Sequence, residues 1–358
     1  MKKNEIDTPA LVLDLDLMEK NIRAMSEYLK GKKAKLRPHV KNHKIPAIAR
    51  LEIEAGAIGV AVAKVSEADV MVWGGLKDIL ITNQIVTESK ITRLVNLAKH
   101  CDLTVAVDNL ENIKQLSHAA SKKAVRLGVV IEVDVGHHRA GVDPGKDAVP
   151  LAQATLASRG LTFRGLMGYE GHISLMEKFE DRKHECMKSM QKAIQTKDSL
   201  EDAGINVDMM SFGGTGTYNF IADYPEVTEI QAGSYVTMDV VYRNIGVPLF
   251  ECALSVVSTV TSHPSSNRAV VDAGLKVLTD DQGLPELDGV DGVTLTKLSA
   301  EHGHLDIDSS SVPLKIGQRL TILPSDTDTT INLHDQIYGI REDEVEVIWP
   351  VAARGRVT

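Results

Sequence analysis

Apolar positions along the chain switch between two spacings. Thr8 to Leu15 is a short apolar run of strand type, and Leu17, Ile22, Met25 and Leu29 then recur at helical spacing. Ile45 to Ala55 is helical again, with Pro46 in the first turn, where proline is tolerated. From residue 34 to about 232 the alternation continues. Short β-rich runs fall at Ile58–Val62, Ile79–Thr82, Leu103–Val107, Val125–Val133, Leu161–Met167, Val207–Phe212 and Val227–Ile230. Helix-like segments separate them, among them Val65–Met71, Glu88–Leu97, Leu110–Ala119, Ala148–Ala157 and Met176–Ala203. With the strand leading into Lys41, this makes eight β units joined by helices. Eight such units predict an α/β fold of the (β/α)8 TIM-barrel type rather than a doubly wound sheet. After about residue 245 the helical spacing fades. Strand-like runs at Val256–Thr261, Arg268–Val271, Val293–Leu298, Arg319–Ile322, Gln336–Ile340 and Val345–Trp349 predict a smaller, mostly-β domain. The expected division is a barrel over 11–245 and a β domain over 246–358, which the N-terminal segment 1–10 and the strand Ala10–Leu13 join.

Composition narrows the picture. The 358 residues are 43% hydrophobic and 25% charged, the balance of a soluble globular chain. Aromatics make up 4%, so the core must be aliphatic. A net charge of −9 argues against nucleic acid as a partner. No apolar run has the length of a membrane span, and the first residues lack the apolar core of a signal peptide. Cys101, Cys186 and Cys252 are widely spaced and odd in number, which suits small core residues in a reducing cytoplasm better than a disulfide framework or a zinc site.

Seven stretches carry candidate chemistry. Lys35-Leu36-Arg37-Pro38-His39-Val40-Lys41-Asn42-His43-Lys44 places six basic residues where a strand hands over to a helix, the end at which such sheets build their sites. Lysine forms Schiff bases with carbonyl compounds, and crowding by like charge favours its neutral, nucleophilic form; a solvated basic edge or a phosphate patch is the plainer alternative. Ser211-Phe212-Gly213-Gly214-Thr215-Gly216-Thr217 and, one unit later, Gln231-Ala232-Gly233-Ser234-Tyr235 are glycine-hydroxyl turns in the late βα loops, where barrels bind phosphate. Glu132 to Gly141 and Tyr169-Glu170-Gly171-His172 add polar groups at the ends of two middle strands. In the β region, Glu301-His302-Gly303-His304 stands out, and Asp326 and Asp328 are spaced either to chelate a hard cation or simply to shape a turn.

Together these stretches resemble the D-threonine aldolase and D-serine dehydratase family of fold-type III pyridoxal phosphate enzymes, distant relatives of alanine racemase. The likeness rests on Arg-Pro-His-x-Lys-x-His-Lys, Tyr-x-Gly-His, the two glycine turns, Glu-His-Gly, Asn332-Leu333-His334-Asp335 and Trp349 to Gly355, and it runs from Thr8-Pro9-Ala10 to Arg354-Gly355. It implies a barrel plus a β domain in a homodimer, with a small D-amino acid as substrate. It maps the Schiff-base lysine onto Lys41, with Lys35 and Lys44 as decoys. The phosphate falls to Gly214, Thr215, Gly233 and Ser234 with Tyr235 close by, Arg139 to the cofactor's phenolic oxygen, and Tyr169 to the ring. The family's metal pair, His-x-Cys or His-x-Asp, falls on Asp326 and Asp328 here. Two carboxylates favour Mn2+ or Mg2+ over Zn2+. The implied reaction is retro-aldol cleavage of a D-3-hydroxy amino acid to glycine and an aldehyde, with His302 as candidate base. The alternatives are dehydration of D-serine or D-3-hydroxyaspartate to a keto acid and ammonia, racemisation, and cofactor binding without turnover.

Overall fold

The computed structural model describes residues 1–309 and 313–358. Strand β1 (Ala10–Asp14) runs directly into helix α1 (Leu15–Leu29), with the Asp14 carboxylate accepting the Leu17 N–H at 2.9 Å in the first turn. Eight parallel strands follow, interleaved with helices: β2 (Lys35–Leu36), α2 (Pro46–Glu54), β3 (Val60–Val62), α3 (Val65–Trp73), β4 (Asp78–Gln84), α4 (Glu88–Leu97), β5 (Asp102–Val107), α5 (Leu110–Lys123), β6 (Leu127–Glu132), α6 (Ala148–Ala157), β7 (Leu161–Met167), α7 (Phe179–Asp202), β8 (Met209–Phe212), α8 (Tyr218–Ile221) and β9 (Glu229–Ile230).

Their order in space is β2-β9-β8-β7-β6-β5-β4-β3. The two ends meet just past β2, where His39 bridges Ala61 in parallel and the Val40 N–H donates to the Ala61 carbonyl at 2.9 Å. The sheet thereby closes into the expected (β/α)8 barrel. All six residues of β6 are buried, the near-continuous apolar signature of strands covered on both faces. Leu80, Ala106, Val130, Met167 and Met209 form one cluster, with a side chain from each of five successive strands and none from a helix, as a barrel-filling layer requires.

The β sheet is built from β10 (Leu254–Ser265), β11 (Arg268–Val271), β12 (Glu286–Asp288), β13 (Val293–Leu298), β14 (Gly303–Ile307), β15 (Arg319–Leu323), β16 (Gln336–Arg341) and β17 (Glu344–Pro350), with short helices α9 (Val240–Asn244) and α10 (Thr327–Ile331). The N-terminal strand pairs with this sheet: β1 runs antiparallel to β10 and parallel to β16. Ile6, Ala10, Val12, Val257 and Ile340 pack together there.

The chain falls into two compact units that interleave along the sequence. The β unit takes residues 1–25, 42–45 and 234–355; the barrel unit takes 26–41, 46–233 and 356–358. Residues 234–245 group with the β unit because their bonds lie there: Thr237 Oγ1 meets Thr327 Oγ1 at 3.0 Å, and the Val240 N–H donates to the Pro324 carbonyl at 3.1 Å. No helix among the described residues is long and apolar enough to cross a membrane.

Candidate active site

In the barrel unit the candidate groups sit on loops that follow the carboxyl ends of the strands. Lys41 lies five residues beyond β2 with an exposed side chain. The bases around it in sequence have partners of their own. The Arg37 guanidinium is turned onto Glu229, with two bonds of 2.9 Å, and onto Asp78 at 2.6 Å. Burial opposes its charge, but these carboxylates outweigh burial and hold it protonated. His39 is half-buried, with Nε2 3.0 Å from the Thr82 hydroxyl. Burial first, then the charges of Lys41 and Arg139, hold its imidazole well below 6.5, so it is neutral at pH 7. Lys35 Nζ donates to the Lys32 carbonyl, and Lys44 Nζ to Asn332 at 2.8 Å. Both decoy lysines thus have local structural partners.

Arg139 and Tyr169 come together: the guanidinium lies 5.7 Å from the tyrosine ring centroid, within cation–π range. Behind them, Arg139 Nη2 is 3.9 Å from Glu132, whose other oxygen accepts from Gln84 at 2.5 Å. The first glycine turn packs against the same tyrosine, since a Cβ at Gly214 would meet its ring at 3.1 Å. A Cβ at Gly216 would meet the Ser174 carbonyl at 2.0 Å, and one at Gly233 the His39 carbonyl at 2.4 Å. Only glycine permits these approaches. Glu170, fully buried beneath the turn, accepts from the Thr217 hydroxyl, which itself accepts the Gly214 N–H at 3.1 Å. Its second oxygen, Oε2, has no hydrogen-bond partner. A lysine, a cation stacked on a phenol ring and backbone turns open at glycine fit the aldehyde, ring and phosphate of pyridoxal phosphate.

In the β unit, a hydrogen-bonded set around buried Asn42 holds two of the remaining candidates, Ser234 and Asp328. Asn42 donates to the Thr327 hydroxyl at 2.9 Å and to Asp328 Oδ1 at 2.7 Å, and accepts from Thr237 Oγ1 at 3.0 Å. Ser234 Oγ also donates to Asp328, at 3.3 Å. Tyr235 is buried against Phe250, ring centroids 5.3 Å apart. Asp326 caps α10, accepting the Thr329 N–H at 3.1 Å. Burial, then the Asp328 charge, pushes Asp326 up to about 6. Asp239, the cap of α9, is pushed up to about 8 by burial, with Asp326 and Asp328 adding to the effect. Among the described residues no group of three or more His, Cys, Asp or Glu is poised around a metal. An all-oxygen pair suits a hard cation that keeps several waters rather than zinc. His302 is exposed in the turn between β13 and β14, where its carbonyl accepts the Ser299 N–H at 2.8 Å. Asn42, Thr237 and Glu170 were given no role in the sequence reading: Asn42 and Glu170 lie inside quoted stretches without being singled out, and Thr237 lies two residues past Tyr235.

Residues 13–240 match the alanine racemase N-terminal domain, and 253–340 match a serine dehydratase domain. The chain belongs to the alanine racemase-like family of D-threonine aldolases and D-serine dehydratases. It is 40% identical to 3-hydroxy-D-aspartate aldolase of Paracoccus denitrificans, over 99% of this chain and 94% of that protein. It is 38% identical to D-threonine aldolase of an Arthrobacter species, over 98% and 93%. The crystal structure of D-threonine aldolase from Filomicrobium marinum superposes with a TM-score of 0.97 at 39% identity, covering 99% of this chain and 98% of that one.

Proposed function

We propose that this chain is a pyridoxal phosphate-dependent lyase that cleaves a D-3-hydroxy amino acid to glycine and an aldehyde. The observation that carries the reading is similarity from end to end to proteins named as aldolases, at 38–40% identity. Lys41 would hold the cofactor covalently, with Arg139 and Tyr169 at its ring and Gly214, Thr215, Gly233, Ser234 and Tyr235 toward its phosphate. When bound, the cofactor supplies a sink for the electron pair released at Cα. Asp326 and Asp328 would hold a divalent cation, Mg2+ or Mn2+ in preference to Zn2+, which as a Lewis acid lowers the pKa of a hydroxyl. His302 is the candidate base for the proton on the 3-hydroxyl oxygen. The Lys41 amine would also be placed to return a proton to Cα. The protein acts as a homodimer in the cytoplasm, consistent with three cysteines that form no disulfide.

The match of 253–340 to a serine dehydratase domain favours one second reading, in which Lys41 takes the α-proton, the hydroxyl departs, and a keto acid and ammonia form. One experiment separates the two. Purified protein with pyridoxal phosphate and Mn2+ is mixed with D-threonine, D-phenylserine, D-3-hydroxyaspartate or D-serine, with and without EDTA. Glycine plus aldehyde, lost with EDTA, is the expected result; ammonia plus keto acid without glycine would sink the aldolase reading. Lys41→Ala should abolish both turnover and the visible absorbance of the bound cofactor, whereas Lys44→Ala should keep that absorbance.

A further inference from the structure

The loop after β6 and the segment after β7 bring together basic side chains that the proposed chemistry leaves unassigned. The rings of His137 and His172 are stacked, centroids 6.1 Å apart and planes 21° apart. His137 also meets Tyr169 edge-on at 5.8 Å, so the pair adjoins the ring that carries Arg139. Gly136, at φ 123°, leaves room beneath them. A Cβ there would sit 3.0 Å from His172 Nε2 and 3.1 Å from Lys192 Nζ, so the imidazole and the ammonium of α7 border one point. His172 is exposed and His137 half-buried, so both can be reached. The acids nearby are engaged: Asp134 accepts the N–H groups of Gly136 and His138 at 2.9 Å and faces the His138 imidazole at 2.8 Å, and Glu185 pairs with Lys188 at 2.7 Å. Partial burial, then neighbouring cations (Arg139 for His137; His137 and Lys192 for His172), lowers both imidazole pKa values. An anion seated among them would relieve that repulsion.

We propose that His137, His172 and Lys192 form a subsite for the distal carboxylate of the substrate. The preferred D-3-hydroxy amino acid then carries a carboxylate on C3, as 3-hydroxyaspartate does, rather than a methyl or phenyl group. Imidazole and ammonium donors match the two oxygens of a carboxylate, and charge-assisted bonds are the stronger kind. An apolar substituent would cover the same donors without replacing their water, which discriminates against it. The subsite rests on the reading of Tyr169 and Arg139 as neighbours of the cofactor.

The test separates the two readings by using ligands that cannot be cleaved. D-aspartate and D-alanine are titrated into the holoenzyme, followed by the visible spectrum, for the unaltered chain and for His172→Leu, His172→Gln and Lys192→Met. The unaltered chain should bind D-aspartate at least about tenfold more tightly than D-alanine. That ratio should fall toward one in His172→Leu and Lys192→Met and recover in part in His172→Gln, which restores a donor. In parallel, the ratio of KM for D-threonine to KM for D-3-hydroxyaspartate should fall in the two disruptive variants. A D-aspartate preference unchanged in both, or absent from the unaltered chain, overturns the subsite. Cleavage of none of the hydroxy amino acids, with a His172-dependent D-aspartate preference intact, would overturn the proposed reaction and support the subsite.

Discussion

Glu170 sits one residue past Tyr169 and holds the first glycine turn from below. Its Oε1 takes the Thr217 hydroxyl, and the Gly213 N–H also bonds to it. Removing it in Glu170→Ala strands these donors in a dry place, at a cost of about 1–3 kcal/mol. That variant should also bind pyridoxal phosphate more weakly, measurable by fluorescence titration. Glu170→Gln keeps an acceptor and should bind the cofactor nearly as well. Burial, the largest influence on this carboxyl, raises its pKa above 4.5 despite the opposing Thr217 bond. The folded chain therefore keeps this proton to higher pH than the unfolded chain. The contribution is complete below about 4.5 and is lost as the pH rises through the folded value, because the unfolded chain ionises first. Glu170→Gln cannot ionise, so its denaturation midpoint should fall less over that window than that of the unaltered chain. At this scale the sequence was legible where residue type alone signals chemistry. Six bases in ten residues drew attention to Lys41, and glycine with threonine marked the turns. Glu170, Asn42 and Thr237 were not legible, because their importance comes from partners 47, 286 and 90 positions away.

Among the elements, β2 is the least self-sufficient: two residues that must close a barrel against β9. Arg37, just past it, reaches Glu229 on β9 and Asp78 on β4, tying three strands at the seam. Arg37 and Glu229 are only 3% and 5% exposed, so losing one partner leaves a buried charge. Glu229→Ala should cost about 3–5 kcal/mol, read from urea denaturation. Adding Arg37→Met to that variant should recover part of the loss, since it removes the stranded charge rather than a contact. A double variant no more stable than Glu229→Ala would refute the clamp. The barrel strands were legible because β-branched and aliphatic runs recur at short, regular intervals. The elements β12, β14 and α10 were missed for the opposite reason. Glu286–Asp288 is short and polar, Gly303–Ile307 carries a histidine and an aspartate, and α10 is a single turn made largely of threonines.

For the molecule as a whole, the interleaving of the two units was the least legible feature. A change in periodicity marks where one pattern stops, near residue 245, but not which partners a residue bonds. Residues 42–45 read as part of the barrel until Asn42 is seen on Thr327 and Lys44 on Asn332. One consequence can be tested by truncation. A chain ending at Gly233 keeps every barrel strand and loses both partners of β1. It should aggregate during gel filtration, and Leu11→Lys with Leu13→Lys should shift it toward the monomer, because those buried leucines would otherwise lie open.

The pairing of β1 with β10 also sets a clock on synthesis. Ala10 leaves the ribosome early, while its partner Val257 is added roughly 245 residues later. At 5–20 residues per second this is a wait on the order of ten to fifty seconds. The second partner, β16, is later still. Through that interval the barrel strands are all made and can close while the first strand has nowhere to go. Until β10 and β16 are made, the nascent chain therefore carries an apolar strand with no partner for its edges.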